Sequence, residues 1–411
     1  MHRLAISFAI ACTLTFGLDQ WLHHQIESSG QAENTLTQGL FGVAAIYHRL
    51  VTSSPRKPVP RYTALVTLSA SASPPGLSVF NTCQERGFLG SVLTTLSRSH
   101  PTVVVIDKYF GKDTCPAADP GTAALVDGVR ALCESHVKVV VGRAVNSEAR
   151  SQAGVSRSYP LDPALSFGQN GTCVSEGVLN IDLDLRRVDL WWPNVQPVNG
   201  IQGAPPSLAL AAALAASPDL LANGRLAGWS AGSPPPYVSF LKENQFRRYN
   251  LQARSLVCGT QGRACTYDEL SPAVRELAHR PVIVIGEDIP ELDRHDTVIG
   301  DIPGYMLQAN YIESLLDDRV IRPVAEGWNL VTGLVVFVGF EYILWRFHRA
   351  PLAAVWRLIV LFGGVSLVIY LSVVLLGYYL NPAAVSIIAV LLRVADLALG
   401  TLPGSYERAP T

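Results

Sequence analysis

The sequence predicts an exported α/β domain with a mainly parallel sheet, anchored by one α-helical transmembrane segment before it and three after it. Three observations lead to this architecture. Short Val/Ile-rich runs alternate with helical stretches in the middle of the chain, long apolar runs stand near both ends, and six of the seven cysteines lie between those runs. Near-continuous β-branched runs are typical of strands that helices cover on both faces, as in a parallel sheet.

The first element is an uncharged run from Leu4 to Leu18 that follows Arg3. Its length lies between the core of a secretory signal peptide and a short membrane helix. No Ala-x-Ala cleavage pattern follows it, so we favour an uncleaved anchor over residues 1–23 and keep a removed signal peptide as the alternative.

Four Val/Ile-rich runs are predicted strands of the sheet: Tyr62–Ser69, Thr102–Asp107, Val137–Gly142 and Arg280–Asp288. The stretches GFLGSVLTTLSRS and GTAALVDGVRALCES separate the first three and are predicted crossover helices. We expect the strands that end near Asp107, Gly142 and Gly286 to lie side by side. Residues 177–195 alternate apolar and polar side chains, which predicts a hairpin or an edge pair. The Ala-rich run between Pro206 and Pro218 is too short to span a membrane and is predicted as a helix that covers the sheet.

Three apolar runs near the end of the chain each approach the roughly 20 residues that cross a bilayer. They are Trp328–Trp345, Leu358–Leu380 and Ala383–Gly400. The link between the first two carries Arg346, Arg349 and Arg357, and positive residues favour the cytoplasm. The pattern predicts a multi-pass protein of the cell inner membrane, in contact with the lipid bilayer. Residues 327–400 form its closing spans, residues 24–326 are extracytoplasmic, and both termini are cytoplasmic, with residues 401–411 as a short tail.

Cysteine usage fits export, because an even number of cysteines in an oxidising compartment suggests disulfides. Cys258 and Cys265 bracket GTQGRA, whose glycines suit a tight loop, so we predict a disulfide between them. No Cys-x-x-Cys is present, and we predict no metal site.

Several functional classes lack support in the sequence. The net charge of -1 leaves no broad basic face for nucleic acid. Neither a Walker-type loop nor a Gly-x-Ser-x-Gly elbow occurs. We therefore predict no cofactor, no catalytic residue and no enzymatic activity, and keep an exported hydrolase that uses His295 as a minor alternative.

Asp107 ends a predicted buried strand, and ligands of open α/β sheets gather at the carboxyl ends of the strands. Asp107 is therefore a candidate ligand-binding residue. Alternatively it caps the next turn or pairs with Arg143, which ends the neighbouring predicted strand. Such a pair would itself form a small polar pocket, so Arg143 is a second candidate.

Asp293, His295 and Asp296 follow the last predicted strand closely. A metal site at these neighbouring residues would need a ligand from elsewhere in the chain. Asp293 and His295 are better candidates for a hydrogen-bond network or for a contact with a signal.

The stretch from Arg280 to Pro323 resembles the end of a CHASE domain of the second type, the cyclase- and histidine-kinase-associated sensory extracellular module. The matching residues are Ile285 and Gly286, Asp293, His295 and Thr297, Gly300, Pro303 and Gly304, Ala309 and Asn310, Leu315 and Leu316, and Arg322 and Pro323. Upstream, TVVVIDKYF resembles the family's strand that ends in Asp, with Asp107 at that position. Asp182, Asp184 and Arg187 resemble its hairpin, with Leu185 in place of the usual Gly. Gln308 stands where many members carry a histidine.

The resemblance implies a sensory domain between one early span and three closing spans, and it adds Asn310 to the ligand-binding candidates. Members usually continue into a cytoplasmic cyclase or kinase, whereas TLPGSYERAPT follows the last span here. We therefore expect a stand-alone member that binds an unknown small-molecule or protein signal. It would relay this signal to a separate cytoplasmic output protein. The alternative is a structural or accessory envelope subunit that docks another protein.

Overall fold

The computed structural model describes part of the chain, in the ranges that follow. They are residues 59–68, 82–110, 115, 119–145, 173–181, 188–192, 204–223, 226–231, 233, 235–238, 240–259, 262–288, 293–297, 300–323, 328, 331–335, 338–339 and 378–379. The predicted anchor at residues 1–23, most of the predicted closing spans, and Asp182, Asp184, Leu185 and Arg187 lie outside these ranges. The chain divides into two units. The first, Arg56–Val320, contains the sheet, and the second contains the described residues from Ile321 onward.

Six parallel strands form the central sheet in the order β4-β3-β2-β9-β1-β6. They are β1 (Thr63–Leu68), β2 (Val103–Tyr109), β3 (Lys138–Arg143), β4 (Val174–Val178), β6 (Asn250–Gln252) and β9 (Val282–Glu287). The parallel sheet is confirmed, and so is the expectation that β2, β3 and β9 are neighbours. The sequence predicts a hairpin or an edge pair over residues 177–195. Gly177 and Val178 instead end β4, an edge strand that runs parallel to β3.

Six helices accompany the sheet in the described part of the chain. They are α1 (Thr82–Ser97), α2 (Pro120–Glu134), α3 (Leu208–Ala216), α4 (Glu243–Phe246), α5 (Pro272–Ala278) and α6 (Gly304–Leu316). Short 3-10 turns cover Arg247–Tyr249, Ala253–Leu256 and Tyr267–Glu269. The helix predicted between Pro206 and Pro218 is confirmed as α3, which begins where the Ser207 side chain accepts a hydrogen bond from the Leu210 N–H.

The helices lie on both faces of the sheet, as the uninterrupted apolar strands require. On one face, α1, α2 and α5 pack on side chains such as Val66, Ile106 and Ile285. On the other face, α3 and α6 pack on the alternate residues, such as Leu65 and Val105. The result is a three-layer α/β/α domain with a separate apolar core on each face of the sheet.

Short antiparallel pairs complete the sheet domain. Strands β7 (Val257–Cys258) and β8 (Arg263–Ala264) form one pair, and β10 (Arg294–Thr297) and β11 (Gly300–Pro303) form another. Strand β5 (Tyr237–Val238) precedes α4. In the second unit, β12 (Val320–Pro323) and β13 (Tyr378–Tyr379) pair in parallel through Arg322 and Tyr378.

Three disulfides join the six cysteines of the predicted exported region. They pair Cys83 with Cys115, Cys133 with Cys173, and Cys258 with Cys265. The last is the pair that the sequence suggested, and it closes the short β7–β8 hairpin. The other two tie α1 to the chain after β2 and the end of α2 to the start of β4.

In the second unit, Trp328 and residues 331–335 are helical. Within the described residues, we find no helix that combines the length and the apolar character needed to cross a bilayer.

Two glycines allow helices to approach their neighbours closely. A Cβ atom at Gly90 of α1 would lie 2.3 Å from the carbonyl oxygen of Ala124 in α2. A Cβ atom at Gly286 in β9 would lie 2.1 Å from the Cβ of Tyr305 in α6. The sheet and α6 are therefore in direct contact at Gly286, without a side chain between them.

We expect Gly286→Ala to lower the free energy of unfolding by about 1–3 kcal/mol, because the added methyl group cannot fit without moving α6. Urea denaturation of the full-length protein, followed by circular dichroism, measures the change. Unchanged stability would show that α6 does not approach β9 this closely.

Candidate functional site

A charged cluster lies at the carboxyl edge of the sheet. Lys108, near the end of β2, places its ammonium group in contact with two carboxylates: Glu85 in the first turn of α1 and Glu287 at the end of β9. The three side chains are only 15%, 18% and 24% exposed, respectively. Three separate elements thus bring their charges together at the edge where α/β proteins bind ligands.

The two glutamates share a proton. Burial and the hydrogen bond with Glu287 raise the pKa of Glu85 to about 7, although Lys108 acts in the opposite direction. Burial also acts to raise the pKa of Glu287, but the hydrogen bond from Glu85 and the Lys108 charge hold that pKa below its ordinary value. Near neutral pH, Glu85 therefore acts as a hydrogen-bond donor to an ionised Glu287.

Asp107 precedes Lys108 and carries the largest carboxyl pKa shift near this edge. Burial raises its pKa to about 8, and the negative charges of Asp293 and Glu287 add to the rise. A partly buried carboxyl group surrounded by like charges is stable only when it is protonated. At neutral pH Asp107 is therefore a neutral acid.

Asp293 and His295 lie beside this cluster, at the start of α6. The backbone oxygen of Asp293 accepts a hydrogen bond from the Gly304 N–H at 3.0 Å. A Cβ atom at Gly304 would lie 2.5 Å from the Asp293 carboxylate. His295 Nε2 is 3.5 Å from Asp293 Oδ1. The Asp293 carboxylate thus lies against the first turn of α6, whose free N–H groups and dipole favour a negative charge.

The β10–β11 hairpin is held by Arg294. Its Nε donates to Asp301 at 2.7 Å, and its Nη1 donates to Asp288 at 3.2 Å. Arg294 thereby fixes the hairpin to the end of β9, next to the cluster.

A hydrogen-bonded chain connects α6 to two strands at the same edge. The Thr67 hydroxyl donates its single proton to Asn250 Oδ1 at 2.7 Å. Thr67 Oγ1 therefore accepts the hydrogen bond from the Tyr305 hydroxyl at 2.8 Å. Burial raises the pKa of Tyr305, so the phenol remains neutral. These residues could not be predicted from the sequence, because their partners come from distant parts of the chain.

The other candidates lie elsewhere. Arg143 Nη1 is 3.3 Å from Glu176 of β4, which is its ion-pair partner among the described residues. Asn310 is fully buried in α6: its Oδ1 accepts from the Leu241 N–H at 2.6 Å, and its Nδ2 donates to the Met306 carbonyl. The structure thus brings Asp107, Asp293 and His295 together, while Arg143 pairs on β4 and Asn310 holds a loop to α6.

Gln308 stands where a histidine was expected from the resemblance. It is 2% exposed, and its Nε2 donates to the Leu179 carbonyl at 3.0 Å. Gln308 thus joins α6 to the residue that follows β4.

Two Cys-containing groups have the spacing of a metal site, but their sulfurs are joined in disulfides. They are Cys83, Cys115 and Asp119, and Cys258, Cys265 and Glu269. A sulfur in a disulfide is not a thiolate, which is the form that binds metal.

A second charged cluster lies at the opposite, amino edge of the sheet. The fully buried carboxylate of Glu313, near the end of α6, accepts hydrogen bonds from the N–H groups of Arg61 and Thr63 at 2.5 and 2.9 Å and from the Thr63 hydroxyl at 2.7 Å. Asp317 binds Arg61 at 3.1 Å and Arg319 at 2.9 Å. Here the chain enters and leaves the domain. This cluster could not be predicted from the sequence, because a glutamate on a helix usually faces water.

Helix α6 therefore connects the two edges. Its first residues, Gly304 and Tyr305, contact the Asp293 carboxylate and Thr67. Near its other end, Glu313 binds the chain that enters β1. The helix is buried along its length except for Leu316, so a displacement at one edge has a direct mechanical path to the other.

Comparison with known proteins gives one match. The family model described as the CHASE2 domain matches residues 81–343, close to two thirds of the chain. Neither the curated proteins nor the solved structures contain a significant match.

We expect stability to fall as pH rises, because the pKa of Asp107 is higher in the folded state than its ordinary value of 3.8. Its stabilising contribution is complete below the ordinary pKa and is lost as pH rises through about 8. Asp107→Asn has no proton to lose, so it should remove about 1–3 kcal/mol of the decline between about pH 6 and 9. Thermal unfolding of both proteins across this range measures the difference.

Asp127→Asn is the control for this experiment, because it removes the same charge from an exposed residue of α2. Its profile should follow that of the wild-type protein. Parallel profiles for wild type and Asp107→Asn would contradict the assignment of a neutral Asp107.

We expect Glu313→Gln to destabilise the domain by about 2–4 kcal/mol, because the amide brings N–H donors against the backbone N–H groups that the carboxylate accepts. Asp318→Asn is the control. It removes an exposed charge from the turn after α6, where asparagine tolerates the left-handed backbone (φ 52°). Equal losses in urea denaturation would show that Glu313 has no special role.

Proposed function

The chain belongs to the CHASE2 domain family, a family of sensory extracellular domains, and we propose that it is a membrane-anchored sensor of the cell inner membrane. In this proposal the sheet domain is extracytoplasmic and binds a signal. The transmembrane helices then relay the signal to a separate partner protein in the cytoplasm.

Three features support an anchored, extracytoplasmic domain. The disulfides suit an oxidising compartment. Four large apolar residues at helical spacing are exposed, as expected of side chains that face lipid. They are Trp328 (63%), Val331 (48%), Val335 (61%) and Val338 (48%). The arginines at 346, 349 and 357 favour a cytoplasmic link between the following spans.

The observation that carries the sensory function is the position of α6. It begins at the charged cluster of the carboxyl edge, and its last turn carries Glu313, which binds the segment that enters β1. Asp317, directly after the helix, binds Arg61 of the same segment. A signal that moves the start of α6 would move these connections together.

We assign binding rather than catalysis to the carboxyl edge. The groups that face one another there are carboxyls, the Lys108 ammonium and the His295 imidazole. They are engaged with each other through ion pairs and hydrogen bonds. This arrangement suits the recognition of a charged or polar signal, and no enzymatic step follows from it.

The test is a thermal-stability screen of the full-length protein in detergent against polar metabolites and periplasmic ions. A bound signal at about 100 times its Kd should stabilise the wild-type protein by about 2.7 kcal/mol. His295→Ala should reduce this stabilisation, because His295 lies at the carboxyl edge. His279→Ala is the control. It removes an exposed histidine that follows α5 and forms a hydrogen bond with Tyr267, and it should leave the stabilisation by the signal unchanged.

The outcome also separates a sensor from a structural subunit. A partner that co-purifies in fixed proportion, together with no stabilisation by any compound and no response of the domain to pH, would contradict the sensory proposal. That result would favour a subunit that docks another envelope protein.

A further inference from the structure

We propose that the carboxyl edge is a proton-binding site and that the signal of this protein is extracytoplasmic pH, read by Glu85 and Asp107 beside Lys108, Glu287 and Asp293. The inference rests on the sensory function proposed above and names the chemical class of its signal. The geometry of the charges carries the argument.

The cluster contains more acid than base. Four carboxyl groups face it: Glu85 from α1, Asp107 from β2, Glu287 from β9 and Asp293 from the segment before α6. Lys108 contacts two of them, Glu85 and Glu287. Like charges at a partly buried place cannot all be ionised, so the cluster holds protons near neutral pH.

The neighbouring cations do not neutralise this excess. Arg294 is bound to Asp288 and Asp301 on the hairpin side. Arg86, the residue after Glu85, directs its guanidinium to Thr122 of α2 and to the ring of Phe110.

Three further ionisable groups of the described residues lie near this edge. His295 lies against Asp293, and Tyr305 of α6 is a neutral phenol. Glu243 of α4 contributes a further negative charge near Tyr305 and Arg294. Among the described residues, the bases that contact these four carboxyl groups are Lys108 and His295, so acids outnumber bases and protons can balance the remaining negative charge.

The range of this titration is physiologically useful. The pKa of Glu85 is about 7 and that of Asp107 is about 8, so both groups change charge between mildly acidic and mildly alkaline conditions. At low pH the cluster is close to neutral. At high pH the ionised Asp107 faces the ionised Asp293 and Glu287.

This change of charge acts on the start of α6. Asp293 is the neighbour of Asp107 whose carboxylate lies against Gly304, and its backbone accepts the Gly304 N–H. Repulsion between Asp107 and Asp293 therefore displaces the first turn of α6. Because the helix is buried and packs directly on Gly286, it moves as a unit, and Glu313 carries the movement to the Arg61–Thr63 segment.

The experiment is hydrogen exchange with mass spectrometry on the full-length protein in detergent, between about pH 6 and 9, with exchange times corrected for the intrinsic rate. We expect the protection of residues 61–68 and 304–316 to change by about threefold or more across this range. The change should have a midpoint between the pKa values of Glu85 and Asp107.

The variant Glu85→Gln with Asp107→Asn keeps the two positions neutral at every pH. It should hold both segments at the low-pH level of protection throughout the range. Glu85→Gln alone should shift the midpoint of the protection change upward, towards the pKa of Asp107. This single variant provides the test if the double variant does not fold. Asp127→Asn removes an exposed charge from α2 and should keep the full response.

Protection that does not vary with pH, or a double variant that responds like the wild-type protein, would overturn the proton site. If either result accompanies stabilisation by a compound in the thermal screen, the sensory function stands and its signal is that compound. If no compound stabilises the protein either, both proposals fail.

Discussion

The buried Glu313 carboxylate is the interaction on which the rest of the domain depends. It accepts hydrogen bonds from backbone N–H groups at the start of β1 while standing on the last turns of α6, so it joins the first strand to the last helix. Strand β1 lies inside the sheet between β9 and β6. Removing an acceptor from such a position leaves buried donors without partners, which costs far more than the loss of one exposed hydrogen bond.

The packing of α6 determines what kind of motion the domain can make. Its polar residues Gln308, Asn310 and Glu313 are each bonded to a different part of the backbone, and Gly286 lets the helix rest directly on β9. A helix held in this way cannot bend locally without breaking several buried hydrogen bonds. Close-packed interiors transmit displacement rather than absorb it. A displacement of one end of α6 is therefore transmitted to the other end.

The sheet could be predicted from the sequence because its strands are continuous Val/Ile runs, a local property. Asp107 was identified because the ends of such strands collect ligands, a rule that requires no knowledge of partners. Its neighbours were not identified: Lys108 meets Glu85 and Glu287 from distant parts of the chain, and only the folded sheet brings them together. Asn310 was a ligand candidate from family resemblance, and its burial beside Leu241 shows how a residue that holds a loop can match a motif.

The strand order has a consequence for the biogenesis of the protein. Strand β1 is the first of the sheet to be made, yet both of its partners, β6 and β9, come from the far end of the domain. A chain that crosses a membrane from its amino end would deliver β1 long before either neighbour arrives. Strand β1 therefore has no pairing partner until nearly the whole domain has been delivered. Such non-local pairing is slow, so β1, the first strand of the sheet to be made, is among the last to be fully paired.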